Sequence, residues 1–583
     1  MKVFAVDFET YYDKFYSIST FGVDGYCAHE NFDPYMVSVV GDGVSFVGDP
    51  RTFDWSTIAG ELWVSHNARF DETVYLEMES RGWVPRGNRP AVWHCTADLS
   101  VYFGYPRSLA NVARVLFDAK LDKQTRAKML GKHLNDLKDD ERARLLQYAL
   151  DDSIECKRVW DTLSVDWPEH ERNVSLLNRE MGRYGVRIDT DKLDKYLTTL
   201  RQILWESAKV IPWEWDTGKT PLSPLKLNRA CRDAGIPCPG SLAADSEECA
   251  QWEDTYGDDY PWVGAMRNWR RANILLKKLE TIHARVRADG TMPFSIKYFG
   301  GHTGRFSGDG GFNIQNLPRG DLMGVDMRSL IIARPGKVFV ISDLAQIEAR
   351  VTLWLAQDTK TLEQVKRGIS VYEAHAIATM GWDSANGTLK TANPALYRLA
   401  KARVLGLGFG CGAARFQKLA RDQYGIELDD QEANDTVKLF RSTNPKIIRL
   451  WKTLQRDCTR CAGSDFTVEL PSRRRLTYRN VKTSGDMTAE IVAGTRRTKL
   501  YGGKLTENLV QAVARDIFVA GMLRLIDNGY RVLFHVHDEY ILEIDEDAVD
   551  KVTHIEELVT TPAPWAQTCP VGVETATSKV YLK

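Results

Sequence analysis

The sequence predicts a multidomain protein of mixed α/β and α+β class, and three observations lead there. At 583 residues the chain exceeds a single core, and about 150 residues per domain suggests about four units. Three short apolar stretches, far apart, each end in acidic residues: Val3–Glu9 (VFAVDFE), Val338–Asp343 (VFVISD) and Leu533–Glu539 (LFHVHDE). Finally, strand signals at 329–343 and 530–545 enclose a long, mainly helical stretch, as expected when a helical subdomain interrupts a sheet-based domain.

The elements follow in order. Residues 1 to about 165 alternate strand and helix patterns: a strand over Lys2–Asp7, an apolar stretch at 60–65 (GELWVS), and helices around Asp71–Arg81 and Glu141–Leu163. From about 170 to 320 the chain is mostly helix-forming and rich in Leu, Arg and Lys, with a Gly/Pro/Ser-rich interruption near 217–245. No internal repeat or low-complexity tract is present. The run Tyr501–Thr506 (YGGKLT) lacks the first glycine a phosphate-binding Gly-x-x-x-x-Gly-Lys-Ser/Thr loop needs.

Composition narrows the class. Hydrophobic residues make up 43%, charged residues 27% and aromatic residues 10%, enough for sizeable cores. No run approaches the roughly 20 apolar residues of a membrane span, and the N-terminus lacks a signal-peptide layout, so a cytoplasmic protein is expected. Ten cysteines form no disulfide framework, and Cys458-x-x-Cys461 has no second pair at zinc-ribbon spacing, so reduced thiols are expected. The net charge of −1 argues against a polyanion partner only if the charges are evenly spread. They are not. Nine Lys or Arg lie between Met266 and Arg305 against Glu280 and Asp289 alone, so a surface tracking a phosphate backbone is expected there.

Carboxylates are costly to gather unless a cation neutralises them. Hard oxygen ligands without a Cys or His cage favour Mg²⁺, with Mn²⁺ as a substitute. On a strand Asp7 and Glu9 point to one side. Asp71, opening a helix after Asn67, offers a third acid. Tyr148 and Asp152, one helical turn apart, add a phenol and a fourth. Four acids and a tyrosine suit a two-metal hydrolase of phosphate esters, with Tyr148 orienting the attacking water. Asp343 and Asp538 at strand ends of one sheet suit a second two-metal centre, with Glu539 beside it rather than ligating.

The motifs carry a resemblance. Asp7-x-Glu9, Asn67-x-x-x-Asp71 and Tyr148-x-x-x-Asp152 resemble the three motifs of DEDD-type 3′–5′ proofreading exonucleases. Downstream, Asp343–Arg350 (DLAQIEAR), Arg398–Gly412 (RLAKARVLGLGFGCG) and His537–Glu539 resemble motifs A, B and C of the family A DNA polymerases, relatives of bacterial polymerase I. Thr303–Ser307, Asn313–Pro318 and Glu507–Ala512 match the same family in order.

The resemblance implies an RNase H-like exonuclease domain at 1–165 and a right-hand polymerase beyond it. Thumb and the start of palm fall at 166–320, palm at 321–360 and 505–583, and fingers at 361–504. It implies DNA-directed synthesis with proofreading, two Mg²⁺ in each centre, and primer–template DNA and dNTPs as partners. Lys401 becomes the proton donor to pyrophosphate, Glu348 a steric gate against a ribose 2′-hydroxyl, and Arg398, Leu405 and Phe409 nucleotide contacts. With Lys401, these recur every three or four residues, so one helical stripe about three turns long is expected. Arg305, Gln511 and His537 are expected at the DNA minor groove, with Asn313, Gln315 and Asn316 beside them. Two departures stand out: Leu405 replaces the family's aromatic, and Tyr397 replaces its arginine, leaving Arg398 one position late.

With Met1 almost on the exonuclease strand, no 5′-nuclease domain is expected ahead of it. That compactness and the short motif variants resemble a bacteriophage replicative enzyme, at work in the cytoplasm of a bacterial host. Its helicase, primase or single-strand-binding partners are not identifiable from the chain. Two rivals, a nuclease whose polymerase half survives as a DNA clamp and a non-catalytic accessory subunit on the same fold, predict missing carboxylates or a broken motif B. Asp343, Asp538 and Lys401 are all present.

Overall fold

The computed structural model describes residues 1–122, 124–215, 220–243 and 246–582; parts of the interruption read near 217–245 therefore lie outside the described residues. The N-terminal unit is built on a five-stranded sheet. Its strands are β1 (Val3–Thr10), β2 (Pro34–Gly41), β3 (Val44–Gly48), β4 (Leu62–Ser65) and β5 (Val92–Cys95), in the order β3-β2-β1-β4-β5. β1 runs antiparallel to β2 and parallel to β4, which runs parallel to β5.

Helix α1 (Ala68–Ser80) follows β4, and α2 (Asp139–Leu163) crosses β1 and β2. A central strand covered on both faces needs a near-continuous apolar run rather than alternation. β1 has one, with Phe4, Ala5, Val6 and Phe8 all at most 3% exposed.

Helix α3 (Glu169–Tyr184) ties this unit to the rest through a buried charge network. Arg515 donates to both carboxylate oxygens of Glu171, Tyr298 Oη donates to Glu171 Oε2 at 2.7 Å, and Arg515 Nε reaches the Gly304 carbonyl at 3.1 Å. Both partners of the pair are 2% exposed. The Arg515 charge, with its hydrogen bonds, holds the Glu171 carboxyl below the usual range despite burial. Removing one member strands a buried charge, which costs about 3–5 kcal/mol. Glu171→Ala is therefore expected to lower the unfolding temperature clearly more than Arg271→Ala, which breaks the more exposed ion pair with Glu253; differential scanning calorimetry of the two variants checks this.

Next come α4 (Thr190–Val210) and α5 (Pro261–Arg285), packed along each other. Most of the basic run is paired or buried. Arg267 and Arg271 pair with Glu253, Arg287 with Asp24, Lys297 with Asp309, and Arg305 with Glu348 and Asp538, while Arg285 is buried. Six of the nine are thus committed within the protein, which corrects the expected phosphate-tracking surface: the pairing acids lie elsewhere in the sequence. From about 286 to 320 short strands and 3-10 turns replace the expected helix.

A four-stranded antiparallel sheet follows. Its strands are β6 (Lys337–Leu344), β11 (Val532–Val536), β12 (Glu539–Asp545) and β13 (Val573–Ser578), ordered β11-β12-β6-β13. Between β6 and β11 lie α6 (Ile347–Leu355), α7 (Pro394–Leu407) and a second antiparallel sheet that sequence periodicity did not suggest. That sheet comprises β7 (Phe466–Glu469), β8 (Arg475–Lys482), β9 (Thr488–Glu490) and β10 (Arg497–Lys499). The long helix α8 (Gly502–Asp527) is buried on nearly every side, and its mean apolar character explains why it reads as core. All ten cysteines are free, and among the described residues no helix is long and apolar enough to cross a membrane.

Candidate active sites

Two carboxylate clusters form where the strands end. In the N-terminal unit, Asp7 and Glu9 project from β1 on one side. Asn67 adopts a left-handed conformation (φ 81°) as the N-cap of α1, a geometry asparagine tolerates. That turn brings Asp71, 1% exposed, into the first helical turn, where the Phe8 amide donates to its Oδ1 at 3.0 Å. The helix N-terminus also favours this negative charge. Tyr148 and Asp152 share one face of α2 and are hydrogen-bonded to each other.

The titration behaviour reports how crowded the acids are. Burial pushes Asp7 well above its usual range, with Asp71 and Glu9 adding repulsion. Burial raises Glu9 to about 7 against the opposing pull of Arg126. It raises Asp71 to about 8, although the Phe8 amide opposes it, and Asp152 to about 6 against the Tyr148 hydrogen bond. Asp7 Oδ2 is buried with no hydrogen-bond partner. Burial and Glu9 together raise the Tyr148 phenol.

Arg126, on the short helix Gln124–Ala127, is a member that sequence reasoning missed. Glu9 is the main influence holding its charge, and Tyr12 Oη fixes its backbone carbonyl at 2.8 Å. Its signal in the sequence is nil, because no spacing rule links residue 126 to residues 7 and 9.

A linkage follows for the metal-free protein. These carboxyls keep their protons to higher pH folded than unfolded, where about 4 is usual. Their contribution to stability is therefore complete below about pH 4 and is lost as pH rises through 6 to 8. In EDTA the unfolding temperature is expected to fall between pH 6 and 8.5, at roughly 2–4 °C per kcal/mol lost. Mg²⁺ should reverse the fall, and Asp71→Asn should flatten it; differential scanning fluorimetry across pH reads all three.

The second cluster sits on the sheet formed by β6 and β12. Asp343 pairs directly with Glu539, and the Leu344 amide donates to the Asp538 carbonyl at 3.1 Å, so Asp343 on β6 stands beside the turn residue Asp538 that precedes β12. Opposed residues in such a pair lie about 5 Å apart between Cα atoms. His537, with φ 54°, and Asp538 form the tight turn from β11 to β12.

Burial raises Asp538 to about 6, Arg305 opposes this, and Glu348 and Asp343 add repulsion. Arg305 bridges Glu348 at 2.5 Å and Asp538 at 3.4 Å. Glu348 opens α6, which begins after Gln346 in a left-handed cap. Glu539 is buried and accepts from Tyr581 Oη at 2.9 Å, and Tyr581 is in turn held by Arg328. Burial and the Arg305 charge depress His537.

The remaining expected residues take the following positions. Arg398, exposed, and Lys401 and Leu405, half-buried, lie on α7. The helix ends at Leu407, so Phe409 falls in the turn beyond it, and the expected three-turn stripe is one residue short. The physical reason is the glycine series from 406 to 412. The turn at 408–410 packs on the start of α8 so closely that a Cβ at Gly503 would meet the Phe409 carbonyl at 2.1 Å. Tyr397 packs edge-on against Tyr372, in a small apolar cluster with Leu405 beside it.

Asn313 caps a 3-10 turn by accepting from the Gln315 amide at 3.0 Å. Gln315 is buried with its amide at 3.4 Å from His535 Nδ1, Asn316 is exposed, and Gln511 Nε2 contacts Glu507 at 3.4 Å.

Among the described residues no three or more His, Cys, Asp or Glu are gathered into a cage that could hold a metal ion. Such cages are not what Mg²⁺ takes beside phosphate substrates. It is held by one or two carboxylates and completes its shell with phosphate oxygens and water. The mutual repulsion of these acids and the orphaned Asp7 Oδ2 fit a hard cation in both clusters.

The class of protein is defined by comparison. The family described as DNA polymerase family A matches residues 245–583, more than half of the chain. The chain belongs to the family A DNA polymerases. It is 27% identical over 570 residues to the DNA polymerase of Bacillus phage SP02, covering 85% of this chain and 86% of that protein. It is 26% identical to the thermostable DNA polymerase I of Thermus filiformis over 288 residues, 48% of this chain and 31% of that protein. In fold it is similar to the POL domain of Pol1 from M. smegmatis, solved with DNA primer–template and dNTP. The TM-score is 0.67 at 18% identity, covering 99% of this chain and 95% of that one.

Proposed function

We propose that the chain extends a DNA primer on a template by nucleotidyl transfer from dNTPs and removes mispaired 3′ ends by hydrolysis in a separate centre. We further propose that it serves replication of a bacteriophage genome, a reading supported by the similarity to a phage polymerase over 86% of that protein's length. The observation that carries the synthetic reading is the pairing of β6 with β12, which sets Asp343 beside the turn that carries Asp538.

In that reading Asp343 and Asp538 hold the cations and Glu539, anchored by Tyr581, backs them. Divalent cations bound there would supply charge for the primer 3′-hydroxyl and the triphosphate. Arg398 and Lys401, one turn apart on α7, neutralise the triphosphate, and Lys401 passes a proton to departing pyrophosphate. Glu348, positioned by Arg305 at the start of α6, blocks a ribose 2′-hydroxyl. Leu405 and Phe409 supply apolar surface near the nascent pair. Arg305, Gln511 and His537 test pair geometry at the minor groove, where every Watson–Crick pair offers acceptors. Asn313, Gln315 and Asn316 support them.

In the hydrolytic centre Asp7, Glu9, Asp71 and Asp152 hold the cations, and the Tyr148 phenol, tied to Asp152, orients the attacking water. The assignments divide the chain into an exonuclease domain at 1–165, thumb and the start of palm at 166–320, palm at 321–360 and 505–583, and fingers at 361–504. The test is a labelled primer annealed to a longer template. With Mg²⁺ and dNTPs the primer lengthens by template-specified nucleotides; with Mg²⁺ alone it shortens from its 3′ end. No lengthening with any divalent cation would refute the synthetic reading.

A further inference from the structure

A cavity of about 820 Å³ shares no residue with either carboxylate cluster. It opens where three parts of the chain meet. One wall is the segment after β5, with Tyr102, Phe103, Tyr105 and Arg107; the facing wall is the start of β8 and the turn before it, with Arg473, Arg475 and Arg479; Lys297, Phe299 and His302 lie between them.

The lining is unbalanced in charge. Six Lys or Arg side chains contribute to it, against Asp166 as its one carboxylate. Four of the six are engaged within the protein: Arg107 with Asp98, Lys297 with Asp309, Arg474 with Asp516 and Arg479 with Asp465. The other two differ. Arg475 is exposed, and the side chain of Arg473 is 88% exposed with only a 3.7 Å approach to Glu469. The walls are joined by Arg479, whose guanidinium lies 4.9 Å over the Tyr105 ring and donates to the Phe103 carbonyl at 2.9 Å.

Arginines interleaved with aromatic rings in a groove suit a polyanion that carries planar groups, the chemistry of an unpaired nucleic-acid strand. A volume of this order admits a small-molecule-sized segment, a few nucleotides at most. A duplex, with a major groove alone about 12 Å wide, is too thick.

We infer that this cavity binds an unpaired stretch of DNA, its phosphates against Arg473 and Arg475 and its bases among the aromatic side chains. The inference rests on the DNA-handling reading only in naming DNA as the polyanion; the cavity lies outside both proposed centres. Two sources share this chemistry, a frayed primer 3′ end and an unpaired template, and the experiment separates them.

The test measures fluorescence anisotropy with the full chain in EDTA, which prevents both reactions. Four labelled probes are used: oligothymidylate, a duplex with an unpaired 3′ tail, a duplex with an unpaired 5′ tail, and a blunt duplex. The double variant Arg473→Ala/Arg475→Ala is compared with wild type and with Arg473→Lys/Arg475→Lys. We expect about tenfold weaker binding of oligothymidylate by the alanine variant. The slope of log affinity against log salt should be shallower by about 1.4, two lost contacts at about 0.7 each on a single strand. The lysine variant should keep the wild-type slope, and the blunt duplex should bind all three proteins alike. Weakening of the 3′-tailed probe assigns the primer, and weakening of the 5′-tailed probe assigns the template. Unchanged affinity and slope for oligothymidylate would overturn the inference while leaving the proposed function standing. A wild-type chain that bound none of the four probes would defeat the proposed function as well.

Discussion

Asp343→Asn is expected to abolish primer extension while leaving 3′-end degradation at the wild-type rate. Asparagine keeps the shape of the side chain and its place opposite Glu539, so the strand pairing need not change. What it removes is the full negative charge and one anionic oxygen. Mg²⁺ depends on such ligands, and its charge stabilisation in the transition state is worth several kcal/mol. Losing on the order of 4 kcal/mol corresponds to about a thousandfold in rate. Degradation should be spared because the acids of the N-terminal cluster project from a different sheet, with its own core. Single-turnover extension and degradation of one labelled primer read both numbers on the same sample.

Asp7→Ala is expected to do the reverse. Asp7 sits where burial and the neighbouring Asp71 and Glu9 oppose its ionisation, and its Oδ2 has no hydrogen-bond partner. A residue so placed destabilises the metal-free fold, and its removal should raise the unfolding temperature in EDTA. The same removal takes away a cation ligand, so degradation should fall by about three orders of magnitude. Extension should proceed at the wild-type rate, with more mispaired primer ends surviving. Stability gained alongside hydrolysis lost separates a metal-ligating role from a structural one, because loss of a structural carboxylate would lower both. A folded variant of either kind that lost both activities would break the two-centre account.

Much of the arrangement was legible because it is written in local pattern. Val3–Glu9 and Val338–Asp343 read as buried strands from their apolar runs, and both lie centrally in their sheets. Tyr148 and Asp152 read as one helical face, and α2 carries them so. The turn at His537 and Asp538 followed from two apolar arms around a polar pair.

What was not legible depends on partners distant in sequence. Arg267, Arg287 and Arg305 form a run of charge in the sequence, yet their acids come from residues 253, 24, 348 and 538. Arg126 enters the first cluster through a four-residue helix that has no periodicity to recognise. The sheet β7–β10 inside the helical insertion is made of strands of three to eight residues, several of them polar and exposed on one side. Phe409 left the helix because Gly408 and Gly410 allow a turn that packs on Gly503.

The account turns on one spatial relation, that Asp343 and Asp538 bind the same cations beside a primer end. A crystal structure of the chain with primer–template, an incoming non-hydrolysable dNTP and Mn²⁺ tests it most directly. The account predicts two anomalous peaks about 4 Å apart, both within ligand distance of the Asp343 and Asp538 carboxylates. Peaks bound by only one of these residues, or by neither, with the nucleotide seated elsewhere, would contradict it.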